Sequence, residues 1–269
     1  MLHRIIIAAL PIMLALGGHA VAAEPVLLHS AGSLRFALTE VAAAFEKAAN
    51  VKVQPKFGAS GTLKEEIAGG ARAEVFASAN MEHPQALAKA NKSGPVVLFA
   101  RNRLCALVRP GLAVETSTLL DRMLDPQVKL GTSTPIADPS GDYAWEAFGK
   151  ADKLKPGARE TLEKKALQLV GGPSTPTPPT GRTVYALLIS EGKADIFLTY
   201  CTNAMAAQKE NAGFAIVALP DSLAVSADYG LTVMANAPPT AYQFAMFILS
   251  ADGQRILSKH GFAAPTLPQ

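Results

Sequence analysis

The sequence predicts an α/β fold in which parallel sheets carry helices on both faces. Three observations predict it. Short apolar runs alternate with segments of helical periodicity along nearly the whole chain. Hydrophobic side chains make up 49% of the residues and charged ones 17%, too apolar a mixture for disorder. The turns that follow several of the runs consist of Gly, Ser, Ala and Thr, small enough for a tight strand-to-helix connection. At 269 residues the chain suffices for one doubly wound domain or for two lobes, and periodicity leaves both open.

Residues 1–23, MLHRIIIAALPIMLALGGHAVAA, are expected to stand outside that fold. A basic start (His3, Arg4), an apolar run from Ile5 to Leu16 and small residues ending Ala20-Val21-Ala22-Ala23 have the three-part layout of a secretory signal peptide, with cleavage after Ala22 or Ala23. No later segment approaches the roughly 20 apolar residues of a membrane span. A soluble, exported protein is the expectation.

Val26 to Ser30 is the first strand, turned by Ser30-Ala31-Gly32-Ser33 into a helix over 34–49, where Leu34, Leu38, Val41, Ala42 and Phe45 recur at helical spacing. The unit repeats: Val51 to Phe57 alternates as a strand, 58–62 (GASGT) turns, and a helix from Leu63 stops at Gly69-Gly70. Ala73 to Ser78 is a third strand and 84–90 a short helix. Val96 to Phe99 and Leu104 to Val108 are compact β segments ended by Arg109-Pro110-Gly111, and 117–123 is helical. Lys129 to Thr132 is a strand, Tyr143 to Phe148 and 158–170 are helical, and 171–181, with PSTPTPP, is an ordered irregular loop. A helix over 182–191, a strand over 194–200, a helix over 204–210, strands over 214–219 and 229–233, and helices over 241–249 and 253–260 complete the chain.

Charge excludes one class of partner. Loss of the signal segment removes Arg4 and no acid, so the formal charge falls from +3 to +2, and no basic cluster interleaved with aromatics provides a nucleic-acid surface. Export places Cys105 and Cys201 where disulfides form, and residue pattern alone allows either a disulfide or two buried thiols. Two cysteines and the scattered His29, His83 and His260 have no metal-ligand spacing, so no metal ligands and no cofactor are expected. Ser60 lacks the glycine spacing of a nucleophile elbow, and neither a dinucleotide nor a P-loop fingerprint is present. An enzyme is not expected, with a secreted hydrolase as the remote alternative.

One local design recurs. Ser33, Ser60, Ser140 with Gly141, and Thr180 with Gly181 each precede a predicted helix. Helix starts leave free N–H groups and partial positive charge, and in α/β sheets they lie at the carboxyl ends of strands, where ligands bind. Each serine has an ordinary reading as an N-cap. Together with Gly32, Gly58, Gly61, Gly141 and Gly181 they also describe an oxyanion site made of neutral donors.

Ala31-Gly32-Ser33-Leu34, Phe57 through Leu63, Ile67 through Ala71, and Ala73 through Asn80 occur in that order. They are followed by Arg101-Asn102-Arg103-Leu104, Ala137-Asp138-Pro139 with Gly141 and Tyr143-Ala144, Gly192 through Asp195 ending in Thr199-Tyr200, and Lys259 through Phe262. As an ordered set over essentially all of 24–269, this resembles the periplasmic molybdate-binding proteins of ABC importers, within the type II solute-binding proteins. The resemblance implies two lobes, 24–103 with 202–269 and 104–201, each a mainly parallel sheet flanked by helices, with the ligand between them. It implies a monomer that binds molybdate or tungstate in the periplasm and delivers it to an inner-membrane ABC permease. By similarity the donors are Ser33, Ser60, the amides near Ser140, the helix start around Arg182, and Tyr200. Two positions depart from the family: Ser140 stands where alanine is usual and Arg182 where a hydrophobic residue is usual. An arginine facing the cleft would favour a sulfate-like, phosphate-like or organic anion; an arginine on the surface would not. On the two-lobe reading Cys105 and Cys201 fall in neighbouring crossover segments and are expected to bond.

Overall fold

The computed structural model describes residues 24–265; the expected signal segment lies outside the described residues. In chain order the elements are β1 (Val26–Ala31), α1 (Arg35–Ala49), β2 (Val53–Gly58), α2 (Ser60–Ala68), β3 (Val75–Ser78), α3 (Glu82–Lys89), β4 (Val97–Val108), α4 (Leu119–Leu124), β5 (Leu130–Ser133) and α5 (Pro139–Leu154). They continue with α6 (Ala158–Lys165), β6 (Leu167–Val170), α7 (Val184–Ser190), β7 (Ile196–Tyr200), α8 (Cys201–Glu210), β8 (Ala215–Ala218), β9 (Ser226–Val233), α9 (Pro239–Leu249) and α10 (Ala251–Lys259).

The first lobe is built on the order β2-β1-β3-β9-β4. β1 is buried almost throughout, as a strand with helices on both sides must be. One 3-10 turn (Gly32–Leu34) leads into α1, which buries Leu38, Val41, Ala42 and Phe45. That helix ends where Asn50 adopts φ 55° and returns its amide to the Glu46 carbonyl. α9 packs beside α1, with the Phe45 and Phe244 rings 5.1 Å apart, and Leu63, Ile67, Phe76 and Leu87 form a separate apolar cluster among α2, β3 and α3.

The second lobe uses β8, the far half of β4, β7, β5 and β6. Alternation separates its two faces. Ala106, Val108, Ile196 and Leu198 join the cluster containing Leu119, Phe148 and Leu162, whereas Cys105, Leu107 and Phe197 join Tyr185, Ile189 and Ala204.

β4 is the physical link between the sheets. Val97 through Arg103 pair with β9, Leu104 through Val108 pair with β7, and Cys105 through Val108 pair with β8. The two β segments expected at 96–99 and 104–108 are thus one strand, which passes from one sheet to the other at Arg103-Leu104. The second segment expected in the first lobe, 202–269, does not stay there: β8 is hydrogen-bonded to Cys105 through Val108, and the chain rejoins the first sheet at β9.

The sheets are mixed rather than wholly parallel. β9 runs antiparallel between β3 and β4, and β4 runs antiparallel to β7 and β8. The helix expected over 158–170 is also shorter. It stops at Lys165, Ala166 is extended (φ −61°, ψ 120°), and Leu167–Val170 pairs in parallel with β5. Backbone hydrogen bonding to the β5 edge outweighs an apolar spacing that would have continued the helix.

Candidate functional site

The carboxyl ends of β1, β2, β3, β6 and β7 converge on one interlobe cavity of about 280 Å³, where Ala31, Gly58, Ala79, Val170 and Tyr200 stand at or just past the strand ends. Ser33 and Ser60 line it from the first lobe, and Asp138, Arg182, Thr183, Tyr185 and Tyr200 from the other side.

Both serine hydroxyls are held by a partner beside the cavity. The Ala79 amide donates to Ser60 Oγ at 3.1 Å, so the proton of this buried hydroxyl remains available to a ligand. Ser33 Oγ lies 3.0 Å from the Tyr229 hydroxyl. Asn102 Nδ2 donates to that same hydroxyl at 3.3 Å and to Thr202 Oγ1 at 2.9 Å. The Tyr229 oxygen accepts from Asn102 and shares a further hydrogen bond with Ser33 in which either hydroxyl can donate; where Tyr229 donates, the Ser33 proton is left for the cavity. Burial pushes the Tyr229 phenol far above its usual range and keeps it neutral.

Tyr200 is buried at the end of β7, edge-on to Tyr143 and Tyr229, and burial likewise holds its phenol protonated. Its hydroxyl approaches the Ala79 carbonyl only at 3.5 Å, a contact weak enough to yield to a ligand oxygen.

Arg182 is exposed on the rim, and its charge already has a partner: Nε donates to Glu210 Oε2 at 3.0 Å, while the Thr183 amide donates to Glu210 Oε1 at 2.5 Å. The Thr183 hydroxyl caps α7 by accepting from the Ala186 amide. Ser140 is not among the residues lining the cavity. Pro139 occupies the first turn of α5 and Asp138 caps it, so Ser140 lies inside the helix, fully buried, with Oγ unpartnered. Its amide donates to Asp138 Oδ1 at 3.1 Å.

Two groups of this site were not singled out from sequence, whereas Asp138 stands in the Ala137-Asp138-Pro139 stretch that carries the resemblance and has an ordinary capping or surface reading. Tyr229 reads as a core aromatic within a strand. Arg35 reads as a solvated charge on α1, yet its guanidinium lies 4.9 Å from the Phe57 ring centroid at the cavity wall, where desolvation lowers its pKa.

Desolvation pushes the Asp138 carboxyl up to about 6; the Ser140 amide and neighbouring Ser133 oppose the rise and Asp142 adds to it. The unfolded chain therefore ionises at a lower pH than the native one, and this group's contribution to stability is lost as pH rises to about 6. Asp138→Asn, which retains a capping side chain, should be more stable than the parent at pH 7.5 by on the order of 1–3 kcal/mol and equal to it near pH 4. Urea unfolding of both proteins at the two pH values measures this, and an equal difference at both would refute it.

Contacts also cross the cleft. Gly61, at the start of α2, donates its amide to the Ala137 carbonyl at 2.9 Å. Among the described residues no group of three or more His, Cys, Asp or Glu side chains is placed to hold a metal ion.

A family profile for bacterial extracellular solute-binding proteins matches residues 26–263. An uncharacterized protein of Pasteurella multocida is 34% identical over 203 residues, covering 75% of this chain and 84% of its own. The molybdate-binding protein ModA of Mycobacterium tuberculosis is 26% identical over 257 residues, covering 90% and 86%. The periplasmic molybdate-binding protein of Azotobacter vinelandii superposes with a TM-score of 0.72 at 17% identity, covering 90% of this chain and 100% of that one. The sulfate-binding protein SubI of M. tuberculosis superposes with a TM-score of 0.74 at 18% identity, covering 90% and 87%. The architecture is the two-lobed type II periplasmic-binding fold, with mixed sheets and an interlobe cleft.

Proposed function

The chain belongs to the bacterial extracellular solute-binding proteins, and from that premise we propose that it captures a small oxyanion between its lobes through Ser33, Ser60 and Tyr200. It is a non-catalytic binding component of an ABC importer, acting outside the cytoplasm on a small polar or anionic ligand. The observation that carries the oxyanion reading is the buried Ser60 hydroxyl, which accepts from the Ala79 amide and so keeps its proton for the cavity, with the Ser33 hydroxyl, paired to Tyr229, lining the same space. A buried anion loses its hydration, and several preoriented neutral donors offset that cost without a fixed buried countercharge. Ligand contacts from both lobes would stabilise the closed arrangement that a membrane permease recognises.

Molybdate or tungstate is the first reading of the ligand, supported by the ModA relative. A second reading, sulfate, phosphate or an organic acid, is supported by the cavity of about 280 Å³ and by the Arg35 guanidinium on its wall. Calorimetric titration with each anion tests the function, and the absence of binding by any of them would refute it. Ser60→Ala should weaken the bound anion by roughly 10- to 150-fold, since a hydrogen bond to a charged group is worth about 1.5–3 kcal/mol. An unchanged affinity would remove Ser60 from the site.

A further inference from the structure

Phe36 is a large aromatic residue that the core does not use. It stands in the first turn of α1, 37% exposed, and belongs to none of the apolar clusters that hold the lobes together. Three positions after Ser33, it shares that residue's side of the helix start. Both line the interlobe cavity, and both also line a second space of about 230 Å³ between α1 and α8. Asn203, in the first turn of α8, is the third residue common to the two. The spaces therefore adjoin at Ser33, Phe36 and Asn203, beside the hydroxyls that line the anion cavity.

The second space is a groove with apolar walls. α1 contributes Phe36 and Ala37, α8 contributes Met205 and Ala206, and Phe262 follows from the turn after α10. That turn also backs Met205: a Cβ on Gly261, at φ +89°, would stand 3.0 Å from its Sδ. Of the charged residues along the groove, Glu210 holds Arg182 and the Thr183 amide, and His260 pairs with Glu40, which leaves the exposed Lys209. The anion cavity is apolar on the side of the 171–181 segment as well. Pro176 and Pro178 line it, and four of the seven residues 173–179 are proline, with no N–H to give. The Thr175 amide is spent on the Gly172 carbonyl. Such a wall receives carbon rather than oxygen. Phe36, Met205 and the proline segment all lie outside the stretches through which this sequence resembles the molybdate-binding proteins.

A bare tetrahedral ion would occupy the hydroxyl end of the cavity and leave these walls wet. Cavity and groove together fall in the range of about 300–1,000 Å³ in which small organic ligands are bound. We propose that the cleft takes an organic oxyanion, a tetrahedral head at Ser33, Ser60 and Tyr200 bearing a carbon substituent that passes Ser33 and lies on Phe36 in the groove between α1 and α8. Phe36 is then a specificity-determining residue, its exposed ring being the surface that the substituent covers. Organophosphonates and organosulfonates share this chemistry and differ in the charge of the head. Each methylene buried there adds about fourfold in affinity.

The organic ligand rests on the oxyanion reading above, and the test separates the two. Methyl- and butylphosphonate, methane- and butanesulfonate, phosphate, sulfate and molybdate are titrated calorimetrically at pH 8 into the full disulfide-bonded protein, into Phe36→Ala and into Phe36→Leu. Circular dichroism verifies folding of each. With the better-bound head, the butyl compound should bind at least about 30-fold tighter than the methyl one, since three more methylenes are buried. That ratio should fall at least about fivefold in Phe36→Ala and recover in Phe36→Leu, a recovery that a general disturbance of α1 would not give. Comparison of the two butyl compounds identifies the head as phosphonate or sulfonate. Equal binding of methyl and butyl compounds, or tighter binding of any bare ion than of both butyl compounds, would overturn the organic ligand while leaving the anion cleft standing. An unchanged ratio in Phe36→Ala would likewise overturn the placement on Phe36. Failure of all seven anions to bind the parent protein would overturn the cleft reading itself.

Discussion

Gly61→Ala should abolish tight ligand binding while leaving the fold at least as stable. A Cβ at this position would stand 2.2 Å from the Ile136 carbonyl oxygen and 2.8 Å from that of Ala137. Both obstacles are backbone atoms and cannot rotate away. The Ile136 backbone is itself constrained: a β-branched residue at φ +69°, its amide donating to Asp142 Oδ1 at 2.8 Å. The lobes must therefore separate at this contact, breaking the Gly61 to Ala137 hydrogen bond and moving Ser60 away from the second lobe. Alanine is favoured over glycine in a helix by about 1 kcal/mol, so α2 does not suffer from the change. The loss of contacts from one lobe should cost at least about 100-fold in affinity, two hydrogen bonds to a charged ligand being worth that or more. Titration of the variant beside its thermal unfolding distinguishes closure from folding: an affinity equal to that of the parent would show that the Gly61 contact has no part in binding, and a lowered melting temperature would make the result one of stability.

The sequence made some of this legible for reasons that are local. α1 was readable because Leu38, Val41, Ala42 and Phe45 keep one face over the whole helix. Ser33 and Ser60 were readable because a strand, a small-residue turn and a helix leave little else for a hydroxyl at that position to do. What escaped is decided between distant segments. Nothing in Ser226–Val233 states that it lies antiparallel between β3 and β4, yet that register puts Tyr229 opposite Ala100 and within reach of both Asn102 and Ser33. In the same way Leu167–Val170 continues the spacing of Leu162 and Ala166, and only the free edge of β5 makes it a strand. Arg182 shows the limit in the other direction. Position alone allowed it to face a ligand or solvent, and the deciding partner, Glu210, lies 28 residues further along, at the end of α8. Asp138 combines two roles that sequence reads as one: the cap is evident from Asp-Pro-Ser-Gly, whereas its place in the cavity depends on β6 and Gly171.

Replacing Cys105 and Cys201 together by serine should produce the largest loss of stability of any change considered, and should weaken ligand binding as well. The two cysteines are joined by a disulfide with Cα atoms 4.9 Å apart and a sequence separation of 96. Closing a loop near that length restricts the unfolded chain by about 4–5 kcal/mol on the chain-entropy account, which for a protein of this size lowers the melting temperature by roughly 10–15 °C. The consequence for binding follows from where the bond sits. Cys105 lies in β4 just past the transfer between sheets, and Cys201 directly follows Tyr200, which pairs with Leu104. The bond therefore fastens the end of β7, with the Tyr200 phenol, to the strand shared by both lobes. Without it Tyr200 is held by its ladder and ring contacts alone, and affinity should fall by up to about tenfold, the worth of one imperfectly positioned hydrogen bond. Thiol titration of the denatured, unreduced parent should find none; two free thiols would remove the premise. Given the bond, a double variant with unchanged melting temperature would show that the loop it closes is already restricted in the unfolded state, and a destabilised variant of undiminished affinity would show that the ladder to Leu104 suffices to place Tyr200.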